Sequence, residues 1–277
     1  MRKKQKSRAP KAEKVRKEKE VYVPVAGLAG EVLDYHEYEM TKREKRIGGA
    51  VGAAIGFLVL YIFFAQLIVG LVGAIVASRF GIRIYRMNLK EKRDRLLALQ
   101  FRDMLEAVST SLGAGKNVVD SFAEAYEDMA GQYGQNSYIA KELEAILIGV
   151  SNNIRIEDLL MNFGERSGNE DIQSFADVFV AANRAGGNIQ EIIFETKNVI
   201  SDKVSIELEI QTLVSGKKNE LNIMIVLPFI VVSQLRTINS SGGDLGSILI
   251  DTGVKILVLG IFAAAYLMGQ KMIKIRV

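Results

Sequence analysis

"NRAGGNIQEII", residues 183–193, places two adjacent glycines between stretches with the apolar spacing of helices. Glycine inside a helix costs about 1 kcal/mol relative to alanine, so the pair indicates a helix end. Gly186 and Gly187 can both adopt positive φ, the usual conformation just past a helix C-terminus. Asn188 is a strong N-cap residue, and Glu191 follows three residues later, as in a capping box. The stretch therefore predicts a tight corner between two helices.

A second copy of this corner occurs earlier in the chain. "AGKNVVD" at 114–120 has the same order of residue types as "AGGNIQE" at 185–191. Gly115, Asn117 and Asp120 are the equivalents of the glycine, the N-cap and the acid. On these residues alone, a structural repeat and a chance likeness of two good helix corners explain the pattern equally well.

Apolar residues between the two corners and on either side of them follow the i, i+3, i+4 spacing of amphipathic helices. This spacing predicts six helices over residues 94–215, with the corners between helices one and two and between helices five and six. Short connections favour an antiparallel six-helix bundle, which we assign to residues 94–218. This range holds 20 acidic and 11 basic residues. The chain has only three prolines and little strand-like alternation, so the predicted fold class is all-α.

An apolar run, "IGGAVGAAIGFLVLYIFFAQLIVGLVGAIVAS", covers residues 47–78. About 20 apolar residues cross a bilayer, so this run is too long for one upright helix and short for two. Basic residues flank both ends, and cationic residues stay on the cytoplasmic side. We therefore predict a transmembrane hairpin over residues 47–80 that turns near Ala65–Gln66. The alternative is one long tilted helix.

A second pair of membrane helices is predicted in residues 219–277, from the apolar stretches 221–235 and 256–269. Pro228 is expected to kink the first of them. Asp251 and Lys255 are four residues apart and could form an ion pair at the membrane edge. The predicted topology has four crossings of the cell inner membrane, with both termini and the central domain in the cytosol.

The N-terminal residues 1–46 are predicted to form a basic, disordered cytosolic tail, because residues 1–20 hold ten Lys or Arg against three Glu. Such a run could bind nucleic acid. We favour binding to anionic lipid at the cytoplasmic leaflet and expect no nucleic-acid partner.

The ordered set of a membrane hairpin, a six-helix domain and a C-terminal membrane pair resembles the type II secretion system F-domain family. The residues that carry the resemblance are "FRDMLEAVSTSLGAGKNVVDSF" (101–122), "IEDLLMNFGERSGNEDIQSFADVFVAANRAGGNIQEII" (156–193) and "MIKIRV" (272–277). A single F domain, rather than two in tandem, looks like the tight-adherence (TadB/TadC-like) pilus branch. The charged N-terminal tail is not part of the family pattern.

This resemblance implies an inner-membrane platform protein for a pilus or a type II secretion-like machine. Its implied partners are a cytosolic hexameric secretion or pilus ATPase, pilin subunits, and a paralogous platform subunit or a second copy of the chain. The family is thought to couple the ATPase to extraction of pilins from the membrane.

Chemical motifs are scarce, and we expect a chain that is not an enzyme and needs no cofactor or metal. "LGAGKN" and "SGKKN" lack the upstream glycine and the Ser/Thr of a phosphate-binding loop. Cysteine is absent and His36 is the only histidine. Two other functions stay open: a membrane-anchored signalling adaptor, and a small transporter that uses Asp251, Lys255 or Gln66.

Overall fold

The structure is a computed structural model that describes residues 24–30, 32–64 and 66–238 and seven single positions between 253 and 268. Over these residues the chain is helical and has no strand, which confirms the all-α class. The helices are α1 (Lys42–Phe64), α2 (Leu67–Gly113), α3 (Val118–Tyr133), α4 (Tyr138–Ser151), α5 (Ile156–Ser167), α6 (Glu170–Ala185) and α7 (Ile189–Ile238).

The apolar run 47–78 is divided between α1, which ends at Phe64, and α2, which begins at Leu67. Both helices are long and apolar enough to cross a membrane. The break falls where the sequence places the turn of a hairpin, and the described residues do not form a single tilted helix over this run. The two helices lie against each other, because Gly48 of α1 is next to Tyr85 of α2 and Gly70 is next to Phe57.

Small residues at four-residue spacing form the seam between α1 and α2. Gly48, Gly52 and Gly56 lie on one helix. A Cβ added at Gly52 would lie 2.6 Å from the carbonyl oxygen of Ala77, and one at Gly81 would lie 2.7 Å from that of Gly48. Glycine at these positions lets the two backbones approach closely, as in small-xxx-small helix pairs of membranes.

A hydrophobic core joins α2 to α7, and we use "helical domain" for residues 93–204, which enclose it. Phe101 of α2 is at its centre, with ring centroids 5.5 Å from Phe175 and 6.1 Å from Phe163. Ile193 and Ile200 close the core from α7. The apolar stripes of the sequence are thus buried against one another, which is the main stabilising term for such a domain.

The helical domain and the apolar hairpin share a helix rather than a linker. The first expected helix of the 94–215 range is the last part of α2, a single helix of 47 residues that begins in the apolar run. The sixth expected helix is the first part of α7, which has 50 residues and continues through 221–235. Asp251 and Lys255, the proposed ion pair, and most of the 256–269 stretch lie outside the described residues.

Residues 24–30 and 32–41, which we call the strap, pack on the helical domain ahead of α1. The prediction of a disordered tail is wrong for residues 24–30 and 32–46, because Tyr35 is 1% exposed and belongs to the core cluster. Residues 42–46 are the first turn of α1 and its continuation. A few aromatic side chains are enough to hold a polar segment on a core. The high charge of residues 1–20 led composition to predict disorder for the whole of residues 1–46. Residues 1–23 lie outside the described part.

Candidate functional site

The corner between α2 and α3 ends one helix with a left-handed glycine and starts the next with an asparagine cap. Gly115 has φ +86°, and its N–H donates to the Leu112 carbonyl at 2.9 Å. Asn117 Oδ1 accepts the Asp120 N–H at 2.9 Å, and its side-chain amide donates to the Asp120 carboxylate at 2.6 Å. The cap and the acid thus satisfy each other, in a variant of the capping box.

The corner between α6 and α7 repeats this arrangement with one difference. Gly186 is left-handed, with φ +69°. Gly187 has no positive φ, so the expectation of two left-handed glycines holds only for the first; Gly187 donates its N–H to the Ala182 carbonyl at 2.8 Å. Asn188 Oδ1 accepts the Glu191 N–H at 3.4 Å, a longer bond than at the first corner.

The two corners lie together at one end of the helical domain. A Cβ added at Gly113, the last residue of α2, would lie 3.8 Å from the side-chain nitrogen of Gln190 in the first turn of α7. At 1.5 Å per residue, the 47 residues of α2 place this end roughly 70 Å from Leu67, where α2 begins. All residues from 183 to 188 are exposed. This distal end therefore offers two matched, accessible helix corners.

An acidic groove between α2 and α3 adjoins the distal end. Its volume is about 580 Å³, and it is lined by Arg102, Asp103, Glu106, Ala107, Thr110, Asp128, Met129 and Gln132. Arg102 is paired with Asp103 at 2.6 Å, and Lys197 of α7 lies 3.5 Å from Glu106; the side chains of Glu106 and Asp128 are the exposed acids of the groove. Partial burial and the Asp103 carboxylate, to which the Tyr133 hydroxyl donates, raise the pKa of Tyr133 to about 12.

A buried ion pair between α4 and α5 holds the strap against the helical domain. Arg166 of α5 and Glu142 of α4 are 3% and 1% exposed at their side chains, with Nη2 and Oε2 2.6 Å apart. Arg166 also donates to the Leu33 carbonyl at 2.8 Å, and the Tyr35 hydroxyl donates to Glu142 Oε1 at 3.0 Å. Burial, reinforced by the charge of Glu142, raises the pKa of Tyr35 well above its usual range.

Arg93 of α2 makes a second tie to the strap, close to the point where α2 enters the helical domain. Its guanidinium donates to the carbonyls of Tyr35 and Glu37, the latter at 3.0 Å. The same group lies 5.3 Å from the ring centroids of Tyr35 and Tyr38, a distance suited to cation–π attraction. Since the strap leads directly into α1, these contacts join both hairpin helices to the helical domain.

Sequence reasoning located the corners and missed the seam, the groove and the strap. The seam had a local signal in the Gly48, Gly52, Gly56 spacing, which is a known helix-pairing pattern. The strap had none, because Tyr35 and Glu142 are 107 residues apart in the chain. Among the described residues, no three His, Asp or Glu side chains are grouped as a metal site would require.

Comparison with known families now gives a context for this geometry. Residues 104–236 match the family model described as Type II secretion system (T2SS), protein F. The match includes α3 to α6 completely, begins within α2 and ends within α7. The chain is therefore similar to the T2SS protein F family, whose members are inner-membrane proteins for secretion and pilus assembly. No curated protein and no solved structure matches the chain.

Proposed function

We propose that this chain is an inner-membrane platform protein of a tight-adherence-type pilus or a type II secretion-like machine, and that it couples a cytosolic hexameric ATPase to pilin extraction and polymerisation. The observation that carries the proposal is the family match over residues 104–236 together with the apolar hairpin that precedes it. A paralogous platform subunit or a second copy completes the proposed machine.

Continuity of the helices supports a coupling role. The 47 residues of α2 connect the hairpin turn to the distal end without a break, and α7 returns from the distal end over 50 residues. Arg95 of α2 and Glu207 of α7 are 3.6 Å apart, so the two helices are also joined along their length. A force applied at the distal end would reach the hairpin through helices rather than through a flexible linker.

Charge and accessibility favour the distal end and the acidic groove as the docking surface for the ATPase. Glu106 and Asp128 are exposed in the groove, and Asp120 and Glu191 are exposed at the corners next to it. An acidic surface steers and orients a basic partner surface, and it disfavours partners of like charge. No nucleotide site is expected in the chain itself, so the proposed motor is supplied by this partner.

Co-purification of a pilus-type ATPase encoded in the same genome tests the proposal. The full chain in detergent should retain the ATPase, and Glu106→Lys with Asp128→Lys should reduce retention roughly tenfold at moderate salt. The matched control is Glu144→Lys with Glu165→Lys, because both acids are exposed and lie outside the groove. Loss of binding in both variants, or in neither, would reject the groove as the docking surface. Absence of ATPase with the parent chain would reject the function.

A further inference from the structure

Three exposed arginines on α2 lie just beyond the apolar run, and each is followed by a large exposed apolar residue. The three pairs are Arg79–Phe80, Arg83–Ile84 and Arg86–Met87. Phe80, Ile84 and Met87 are 60%, 57% and 56% exposed. Exposure of one such residue is unremarkable, but three beside three arginines form a defined surface.

Helix geometry aligns the two sets in parallel lines. At 100° per residue, positions 79, 83 and 86 fall within about 60° of one another, and the apolar residues form the neighbouring line. Gly81, which contacts α1 at Gly48 and Gly52, is on the opposite side of the helix. Leu97 lies about five full turns beyond Arg79 and is therefore on the same face of α2. Because Leu97 is buried in the core, the arginines are on the face of α2 that packs into the helical domain further along.

The arginines are not neutralised by neighbours in the described part of the chain. None of the three has a carboxylate of a described residue within 4.0 Å. The next cation along the helix differs, because Lys90 is paired with Asp94 at 2.6 Å. Within the described residues the three guanidinium groups therefore face no carboxylate partner, and guanidinium forks match the geometry of phosphate oxygens.

The depth of this surface corresponds to the beginning of α1. A Cβ added at Gly48 would lie 3.0 Å from the Cβ of Tyr85, so Ile84 and Arg86 are level with the first apolar residues of α1. The preceding residues of α1 add Lys42, Arg43, Lys45 and Arg46, all exposed, at the same end of the hairpin. If the hairpin crosses a bilayer, its apolar surface ends here and the headgroup layer begins.

We propose that Arg79, Arg83 and Arg86 form a binding site for the phosphate headgroups of anionic phospholipids, with Phe80 against the acyl chains and with Ile84 and Met87 beside the headgroups. The proposal rests on the membrane hairpin of the proposed function. A phospholipid is favoured over an acidic protein segment because, at 100° per residue, the arginine line continues the face of α2 on which Leu71, Val72, Ile75 and Val76 are exposed, the face that would meet lipid. The site lies beneath the helical domain and would tie the domain's position to the lipid composition.

A tryptophan reporter tests the site in the full chain, which contains no natural tryptophan. Phe80→Trp places the probe within the apolar line, and the protein is reconstituted with brominated phosphatidylglycerol or brominated phosphatidylcholine. The anionic lipid should quench the probe at lower mole fraction, with a preference of about fivefold for each arginine engaged. Raising the salt concentration should reduce this preference.

Substitution of the arginines completes the test. Arg79→Gln, Arg83→Gln and Arg86→Gln together should abolish the preference but leave quenching by phosphatidylcholine unchanged, which also shows that the hairpin is still inserted. Lys116→Gln, Lys141→Gln and Arg184→Gln remove three exposed cations of the helical domain and should leave the preference intact. Equal quenching by both lipids in the parent, or a preference that survives the arginine substitutions, would overturn the site. Absence of quenching by either lipid would instead overturn the membrane hairpin.

Discussion

Replacing Glu142 with glutamine should release the strap from the helical domain. The glutamine side chain keeps the shape of the glutamate but removes the charge that neutralises Arg166, which is 3% exposed. Removing one partner of a buried ion pair costs about 3–5 kcal/mol, because the other charge stays buried without compensation. The Tyr35 hydroxyl would then donate to a neutral amide instead of a carboxylate, which weakens its hydrogen bond as well.

Tyr35→Phe is a milder change to the same network. It removes the hydroxyl that donates to Glu142 Oε1 at 3.0 Å and leaves the ion pair with Arg166 in place. A hydrogen bond to a charged group contributes about 2 kcal/mol. The effect of the two substitutions together should be smaller than the sum of the single effects, because both act on the same carboxylate.

Hydrogen exchange of the full chain in detergent, followed by mass spectrometry, measures the opening of the strap directly. The amide of residue 35 donates to the Arg166 carbonyl at 2.8 Å, so it exchanges only when the strap leaves α5. Exchange there should rise roughly 30-fold for Tyr35→Phe and by about two to four orders of magnitude for Glu142→Gln. Tyr133→Phe, which removes a hydroxyl bonded to Asp103 in the groove, is the matched control and should leave the strap unchanged. Exchange at residue 35 within threefold of the parent in Glu142→Gln would refute the reasoning.

Three other perturbations address the corner, the groove and the helix between the hairpin and the helical domain. Gly186→Ala forces a side chain into φ +69° and should lower the unfolding free energy by about 1 kcal/mol. Gly187 has no positive φ, so Gly187→Ala should lower the unfolding free energy by less. Equal urea midpoints for the two variants would contradict this. The raised pKa of Tyr133 contributes stability that is complete below its ordinary value of about 10 and is lost as the pH approaches about 12. Thermal midpoints should therefore fall less steeply over this range in Tyr133→Phe, and identical slopes would contradict the assignment. Asn88→Pro should interrupt α2 at an exposed position, because proline breaks a helix interior. We expect this variant to retain the ATPase in co-purification but to abolish pilus assembly, whereas the control Asn88→Ala keeps the helix. Pilus assembly by the proline variant would refute transmission through α2.

Features that depend on neighbouring residues in the chain could be predicted from the sequence. Each corner needs a residue that tolerates positive φ and a side chain that caps the next helix, and Gly115 with Asn117 supplies both within three positions. The break between α1 and α2 was equally local, because basic residues at both ends of one apolar run indicate that the chain reverses within it.

Features that depend on distant residues could not be predicted in the same way. Tyr35 is buried only because α4 and α5 supply Glu142 and Arg166, more than 100 positions later in the chain. Within its own neighbourhood Tyr35 is surrounded by Asp34, His36 and Glu37, which favour an exposed segment by composition. Similarly, the apolar spacing of residues 97–112 indicates a helix without showing that this helix starts 30 residues earlier, at Leu67.

The strap gives α1 a connection to the helical domain that α2 alone would not supply. The glycine seam joins α1 to α2, and α1 also contacts α7, but neither contact ties α1 to α4 or α5. Arg93 binds the strap from α2, and Arg166 binds it from α5, on either side of Tyr35. The strap continues into α1 at Lys42, so the hairpin is held at two separate points and cannot rotate independently of the domain without breaking a buried ion pair or its contacts.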